Sequence, residues 1–310
     1  MRESTKPRLV GHEVVICTRN RPNELASALR AIARSTHTLD VLVVDSTDGP
    51  DARLAVEAAS TRELGTWRVR YLHTTPGLTH QRNCGLDAST ARIVHFIDDD
   101  ADVHPSYFAN IASVFDSYGN EVVGVGGLQS GVPVRRPRRW RLLMQVEALP
   151  GQLSRSAVNN MWTAPAAHPV EVDWLSGCAM SFRREPASMV RFSDLLTGYS
   201  LGEDVDFCIR ISEFGKLLIN PLAVVDHNFS PIDRYDISRN VRETILHRHR
   251  IVSAYPNRFS LRSFWLSVAT DAASYCVRAA LGRKVARLAL SGLAAAVLEL
   301  LKAHERGAKE

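Results

Sequence analysis

Cysteine is scarce and unpatterned in this sequence. The 310 residues hold five, Cys17, Cys84, Cys178, Cys208 and Cys276, with no CxxC among them. An odd, scattered set argues against a disulfide framework and a structural zinc site, and predicts small core thiols in a reducing compartment. Long apolar runs are missing too. The nearest, Leu288 to Leu301, is too short to span a bilayer and contains Glu299. Met1 to Arg8 is polar and lacks an apolar h-region, so no secretory signal is expected. Neither sign of charge dominates: 38 Lys and Arg against 33 Asp and Glu give a net charge of +5. So mild an excess does not point to nucleic acid, and it suits anionic small molecules or an acidic membrane surface equally well. Two phosphate-binding signatures are also absent. No GxGxxG follows the first apolar run and no GxxxxGK(S/T) occurs, which removes the dinucleotide fingerprint and the P-loop.

What is present is an alternation of strand and helix. Val14 to Cys17, Val41 to Val44 and Ile93 to Ile97 are short apolar runs, and Val69 to Leu72 is a weaker one. Between the first two, Leu25, Leu29 and Ile32 recur on one helical face behind Pro22. A second helix is expected over Ala52 to Arg62, and Thr79 is expected to cap a short one running to Asp87. This alternation predicts an α/β fold with a mostly parallel, Rossmann-like sheet flanked by helices. From Gly124 to Val170 the periodicity weakens into an irregular region that holds Arg135, Arg136, Arg138, Arg139, Trp140 and Arg141. Val172 to Phe182 then reads as strand, turn, strand. Leu217 to Ile219 and Ala223 to Val225 read as two short strands, and the chain from Asp236 onward as a helical C-terminal extension.

The chemistry concentrates at strand ends. Ile93 to Ile97 runs into Asp98, Asp99 and Asp100. In open α/β sheets ligands bind outside the carboxyl ends of the strands. Three adjacent aspartates repel one another, so they need a cation or hydrogen-bond donors, and carboxylate oxygens suit Mg²⁺ or Mn²⁺. Read alone, the stretch is equally an acidic turn in solvent. Three further features converge with it: Glu203 and Asp204 at a helix start, His227 after a strand, and Asp45 at the end of another.

Six blocks in order then carry a resemblance. They are Val14 to Pro22, Val43 to Ser46, Gly77 to Asn83, Phe96 to Asp100, Gly177 to Arg184, and Gly202 to Phe207, with His227 completing the set. Over roughly residues 12 to 230 the chain resembles a family 2 glycosyltransferase of the GT-A fold, of the non-processive bacterial type. The resemblance implies a domain over 10–232, with a nucleotide-sugar-binding half at 12–102 and an acceptor half at 103–232, followed by the extension at 233–310. It implies a divalent metal, Mn²⁺ or Mg²⁺, held by Asp98, Asp100 and His227, with Asp98 also facing the ribose. It gives Asp45 to the base of the nucleotide and Thr18 and Arg21 to the nucleoside. Arg82 goes to the base or diphosphate, where a guanidinium fork suits phosphate. Asp99 joins the donor-binding set without a defined partner. Glu203 and Asp204 match the pair carrying the base of an inverting transfer, with Asp204 preferred, and Asp206 is expected at the surface. The implied reaction moves a sugar from a UDP- or dTDP-sugar to a glycan, lipid-linked or small-molecule hydroxyl, without nucleic acid.

Departures bound this reading. Cys17 stands where the family usually has proline, Asp45-Ser46-Thr47-Asp48-Gly49 replaces the common Asp-Asp-Gly-Ser, and no Gln-x-x-Arg-Trp follows the acidic pair. The last point argues against a processive synthase. A nucleotidyltransferase on a related fold is the alternative enzyme, but its Gly-rich loop is missing. A catalytically silent nucleotide-sugar-binding homologue is the alternative binder, against which Asp98, Asp100, Asp204 and His227 stand intact. The Arg135 to Arg141 run and the C-terminal helices suggest a cytoplasmic protein that touches the inner face of the plasma membrane peripherally.

Overall fold

A computed structural model describes residues 6–49, 53–54, 56–58, 67–133, 136–194, 202–228 and 236–307. The chain divides into two compact units. The first comprises Met1–Val134, Met161–Leu195 and Glu203–Ser230, and the second Arg135–Asn160, Leu196–Gly202 and Pro231–Glu310. The irregular 135–160 segment thus groups with the C-terminal helices rather than with the sheet.

The first unit is built on a nine-stranded mixed sheet. Its strands are β1 (Arg8–Thr18), β2 (Thr38–Asp45), β3 (Val69–His73), β4 (Ile93–Ile97), β5 (Ala101–Val103), β6 (Val122–Gln129), β7 (Val170–Glu171), β8 (Ala179–Arg183) and β9 (Lys216–His227). The order is β3-β2-β1-β4-β8-β6-β9-β5, with β7 also on β9. The four strands β3, β2, β1 and β4 are parallel, as the alternation predicts, whereas β8, β5 and β7 pair antiparallel to their neighbours. Helices α1 (Pro22–Ala33), α2 (Leu78–Ala88) and α3 (Tyr107–Tyr118) cover the sheet. Leu25, Leu29 and Ile32 of α1 join Val14, Ile16, Val41, Val43 and Ile93 in one core, with Phe108, Ile111 and Phe115 of α3. Parallel strands buried on both faces read as continuous apolar runs, which is why these strands stand out in the sequence. On the other face α2 packs so closely that a Cβ on Gly85 would lie 2.5 Å from Val15 Cγ1.

Several local expectations are corrected. Thr79 does not cap α2; the cap position is Gly77, whose φ of 145° suits glycine, and Thr79 lies inside the helix. The two short strands before His227 are one, because a register shift opposite Gly127–Leu128 absorbs Pro221, Leu222 and Ala223. Asp206 is not simply surface: it pairs with Arg210 at 2.6 Å, one turn along its helix. The helix expected over 52–62 lies mostly outside the described residues, with 53, 54 and 56–58 helical. A polar thread also crosses the core. His12 Nδ1 lies 3.0 Å from His95 Nε2, and His95 Nδ1 lies 2.8 Å from Ser181 Oγ. Burial drives both imidazoles toward the neutral form, His12 down to about 4.

The second unit holds a short helix, α4 (Arg139–Leu143). Two helices that belong to the sheet unit follow in the chain, α5 (Arg184–Val190) and α6 (Glu203–Ile211). The second unit then continues with α7 (Ile237–Ala254), α8 (Leu261–Ala280) and α9 (Lys284–Gly307). Asp236 and Ser260 cap α7 and α8 through their side chains. Along α9, Ala286, Ala289, Leu293 and Ala296 form the buried stripe, a spacing that marks one helical face. Gly292 allows close crossing, since a Cβ there would strike the carbonyl of Ser238. Arg141, from the cationic run, pairs with Asp271 at 3.0 Å and Glu147 at 3.5 Å; Arg136, Arg138 and Arg139 are exposed, and Arg135 lies outside the described residues. No helix among the described residues is long and apolar enough to cross a membrane.

Candidate active site

Register gathers the site. Thr18 pairs with Asp45 and Asp45 with His73, so β1, β2 and β3 end at one sheet edge. There, β4 runs into Asp98, Asp99 and Asp100, and the chain turns at once into β5, with Ala101 N–H donating to Asp98 O. Strand β5 pairs antiparallel with β9 so that Ala101 faces His227, and Asn228 N–H donates to Asp100 O. That pairing brings a histidine 127 residues away to 3.1 Å between His227 Nε2 and Asp100 Oδ1.

Asp98, Asp100 and His227 each offer one ligand atom, all within 4.8 Å of one another. Two carboxylates and an imidazole form an oxygen and nitrogen donor set that fits Mn²⁺ or Mg²⁺. Asp99 points elsewhere. Thr18 Oγ1 donates to its Oδ2 at 2.7 Å and Arg21 Nη1 to its Oδ1 at 3.2 Å, with Arg21 also 4.0 Å from Asp100. Burial lifts the Asp99 carboxyl to about 7, against the pull of Arg21 and Thr18. Thr18 and Arg21 therefore anchor the loop after β1 to the aspartate turn.

Two residues are placed differently from what the resemblance implies. Asp45 has no exposed surface: its Oδ1 accepts from Thr47 N–H at 2.9 Å and its Oδ2 from the Tyr71 hydroxyl at 2.5 Å. Side-chain bonding to the backbone two residues on is ordinary turn chemistry for aspartate; each oxygen accepts one of these bonds and keeps one lone pair. Arg82 is not a solvent-facing fork. It is 2% exposed, ion-paired to Glu203, 3.3 Å from Asp98 Oδ1 and 3.0 Å from the carbonyl of Gly177, with Phe192 beneath it. The guanidinium links the acidic pair of α6 to the aspartate turn.

The two acids of α6 differ. Glu203 is buried on Arg82 and on the N–H of Asp204. Asp204 is part-exposed; its Oδ2 accepts from Gly177 N–H at 3.0 Å and its Oδ1 from Val205 N–H at 2.8 Å. Burial raises both carboxyls above their ordinary range, opposed by Arg82 at Glu203 and by the two N–H donors at Asp204. Each Asp204 oxygen keeps one lone pair.

Sequence reasoning missed three residues. Gln81 donates from Nε2 to Thr18 O and Val44 O, both at 2.9 Å, tying β1 to β2. A Cβ at Gly177 would lie 3.0 Å from Glu203 Oε1 and 3.1 Å from Arg82 Nη2. Cys17 sits close enough to Arg82, Asp98 and Asp99 to feel their charges, and burial pushes its thiol up to about 12, so it stays neutral. Gln81 and Gly177 lie inside blocks that carry the resemblance and Cys17 is a departure from it, but nothing local in the sequence names their partners.

A mixed α/β sheet with carboxylates, a histidine and a buried arginine gathered at one strand edge has the architecture of the GT-A fold. Residues 13–166 match the family described as Glycosyl transferase family 2, a match that supports a family 2 glycosyltransferase. Among its relatives is the succinoglycan biosynthesis protein ExoM of Rhizobium meliloti (strain 1021), 26% identical over 320 aligned positions that cover 96% of each chain. The fold is shared with the mannosyltransferase PcManGT from Pyrobaculum calidifontis, solved with GDP-Man and Mn²⁺. That likeness has a TM-score of 0.55 and 17% identity over 96% of this chain and 87% of that one. GalNAc-T7, solved with UDP, GalNAc and Mn²⁺, matches at a TM-score of 0.53 and 14% identity, over 79% of this chain and 48% of its own.

Proposed function

We propose that this glycosyltransferase moves a sugar from a nucleoside-diphosphate donor to an acceptor hydroxyl with inversion, using Asp98, Asp100 and His227 as metal ligands and Asp204 as base. The observation that carries the reading is the convergence of those three ligand atoms within 4.8 Å at the sheet edge. A divalent ion bound there supplies positive charge to the diphosphate leaving group. The chain's own residues do the rest. Asp100 and His227 are pre-aligned by the β5–β9 pairing, and Thr18 and Arg21 hold the aspartate turn through Asp99. Asp204 is preferred over Glu203 as the group that takes the acceptor proton, because Glu203 is committed to Arg82 while Asp204 is part-exposed with lone pairs to spare. Arg82 and Glu203 act as positioning residues, and Asp45 shapes the turn that receives Asn20 N–H on Thr47 Oγ1.

Donor handling falls to 12–102, and acceptor binding to 103–232 apart from the 135–160 segment. The succinoglycan biosynthesis relative favours a polysaccharide acceptor. UDP- and dTDP-sugars are the first donors to test. GDP-sugars join them because one solved relative carries GDP-Man.

The test is a nucleotide-sugar panel with Mn²⁺, read as nucleoside diphosphate released and as product anomer by NMR. Asp100→Asn should weaken Mn²⁺ binding by more than about tenfold and abolish turnover. Asp204→Asn should lower kcat by about 10²- to 10⁴-fold with donor binding kept. Undiminished turnover in Asp100→Asn, pyrophosphate as the released product, or a retained anomer would overturn the reading.

A further inference from the structure

The tip where α8 turns into α9 exposes apolar and cationic side chains together. Val277 is 62% exposed, Leu281 74%, Val285 61% and Leu288 48%. Interleaved with them are Arg278, Arg283, Lys284 and Arg287, all exposed. None of these four cations makes an ion pair with a described residue, in contrast to Arg141 of the earlier basic run. From Ala272 to Leu298 the sequence contains no Asp or Glu. Scattered exposed leucines are ordinary on a protein surface. Four apolar side chains within three turns of a helical hairpin, flanked by four unpaired cations and no acid, form a patch of a different kind.

We infer that this hairpin tip docks on an anionic lipid surface, its apolar side chains entering the interface and Arg278, Arg283, Lys284 and Arg287 meeting lipid phosphates. The occupant follows from charge. An amphipathic element with cations beside its apolar residues binds where buried area and attraction to anionic lipid add. A second copy of the chain fits poorly, since an isologous contact through this patch would bring eight cations together. Among the described residues no helix is long and apolar enough to cross a bilayer, so the contact is peripheral and dissociates with salt. The inference stands apart from the sugar-transfer chemistry: loss of vesicle binding leaves that reading intact, and loss of turnover leaves this one intact.

The experiment is flotation of the full chain with vesicles of phosphatidylcholine alone and of phosphatidylcholine mixed with phosphatidylglycerol. Binding is expected only to the anionic vesicles. Neutralising the four cations together (Arg278→Gln, Arg283→Gln, Lys284→Gln, Arg287→Gln) should lower partitioning on the order of a hundredfold. The triple change Val277→Ser, Leu281→Ser, Val285→Ser should lower it by at least about tenfold. Because all seven side chains face solvent, thermal melting should not change. A measurement on the unaltered tip guards against a misfolded variant. A polarity-sensitive dye on the exposed Cys276, with Cys276→Ser as reference, should shift to the blue with anionic vesicles. Equal binding to both vesicle types, unchanged binding after charge neutralisation, or no dye shift would overturn the inference. So would concentration-dependent dimers that Leu281→Ser abolishes in a chain that ignores vesicles.

Discussion

Replacing Arg82 by Met removes the one guanidinium that Glu203 can pair with and leaves the carboxyl in the same buried place. Removing one partner of a buried pair costs about 3–5 kcal/mol. The loss depends on pH, and the sign can be worked out. Burial already raises Glu203 above the ordinary carboxylate range, and without Arg82 it rises further. A folded-state pKa above the unfolded one means that the folded state binds more protons. Stability is then retained at low pH and falls as pH rises toward the folded value, by about 1.4 kcal/mol per pH unit. Glu203 already stands near 8 in the intact pair, so both proteins lose stability in parallel up to that pH, and the added destabilisation of Arg82→Met is expected to open above about pH 8 and to approach the full range beyond it. The double variant Arg82→Met/Glu203→Gln carries neither charge, so it should lose the pH slope and regain at least about 1 kcal/mol near pH 8. Urea unfolding of the first unit reads this out. Trp67, Trp162 and Trp174 lie in that unit, so Trp140 and Trp265 are changed to Phe in every variant. A loss under about 1 kcal/mol near about pH 9.5, or equal slopes in single and double variants, would refute the buried-pair account.

Two further outcomes follow from the same core. His12 and His95 are held neutral by burial, so the unfolded chain binds more protons as pH falls, and stability should drop between 6.5 and about 4. His12 alone accounts for roughly 3 kcal/mol of that drop, and urea titrations of His12→Gln/His95→Gln should show the slope flattened. Gly177→Ala places a methyl against the ends of Glu203 and Arg82, which are pinned to one another. A loss of about 1–3 kcal/mol is expected, with sugar transfer down more than about tenfold; wild-type rates and melting in this variant would contradict the geometry.

The strands that set the site were legible because their residues are apolar on both faces, and the aspartate turn because three carboxylates in a row have few cheap places to be. His227 was legible through its position after Val224 and Val225, although its neighbour Ala101 could be known only from the pairing of β5 with β9. What the sequence hid was long-range. Asp45 and Arg82 are residue types that serve ligands and cores alike, and their partners Tyr71 and Glu203 are visible only in the fold. Asp99 had no visible partner because Thr18 and Arg21 lie some eighty residues away, at |i−j| of 81 and 78. The single strand β9 was hidden by Pro221, since a proline within an apolar run reads as a break unless the partner strand absorbs it. The grouping of 135–160 with the last helices had no local signature at all.

The pairing of Ala101 with His227 also bears on how the protein is made. A ribosome that has released the chain only through α6 has already made Asp98 and Asp100, yet His227, one of the three candidate ligands, has not been synthesised. The donor edge is therefore completed by one of the last strands of the sheet to emerge, and anything that binds Asp100 and His227 together favours the fully paired sheet over partly folded forms, by mass action. Ligand occupancy would then report that β9 is in register, and chains stalled or cut before residue 227 would be silent rather than half-active.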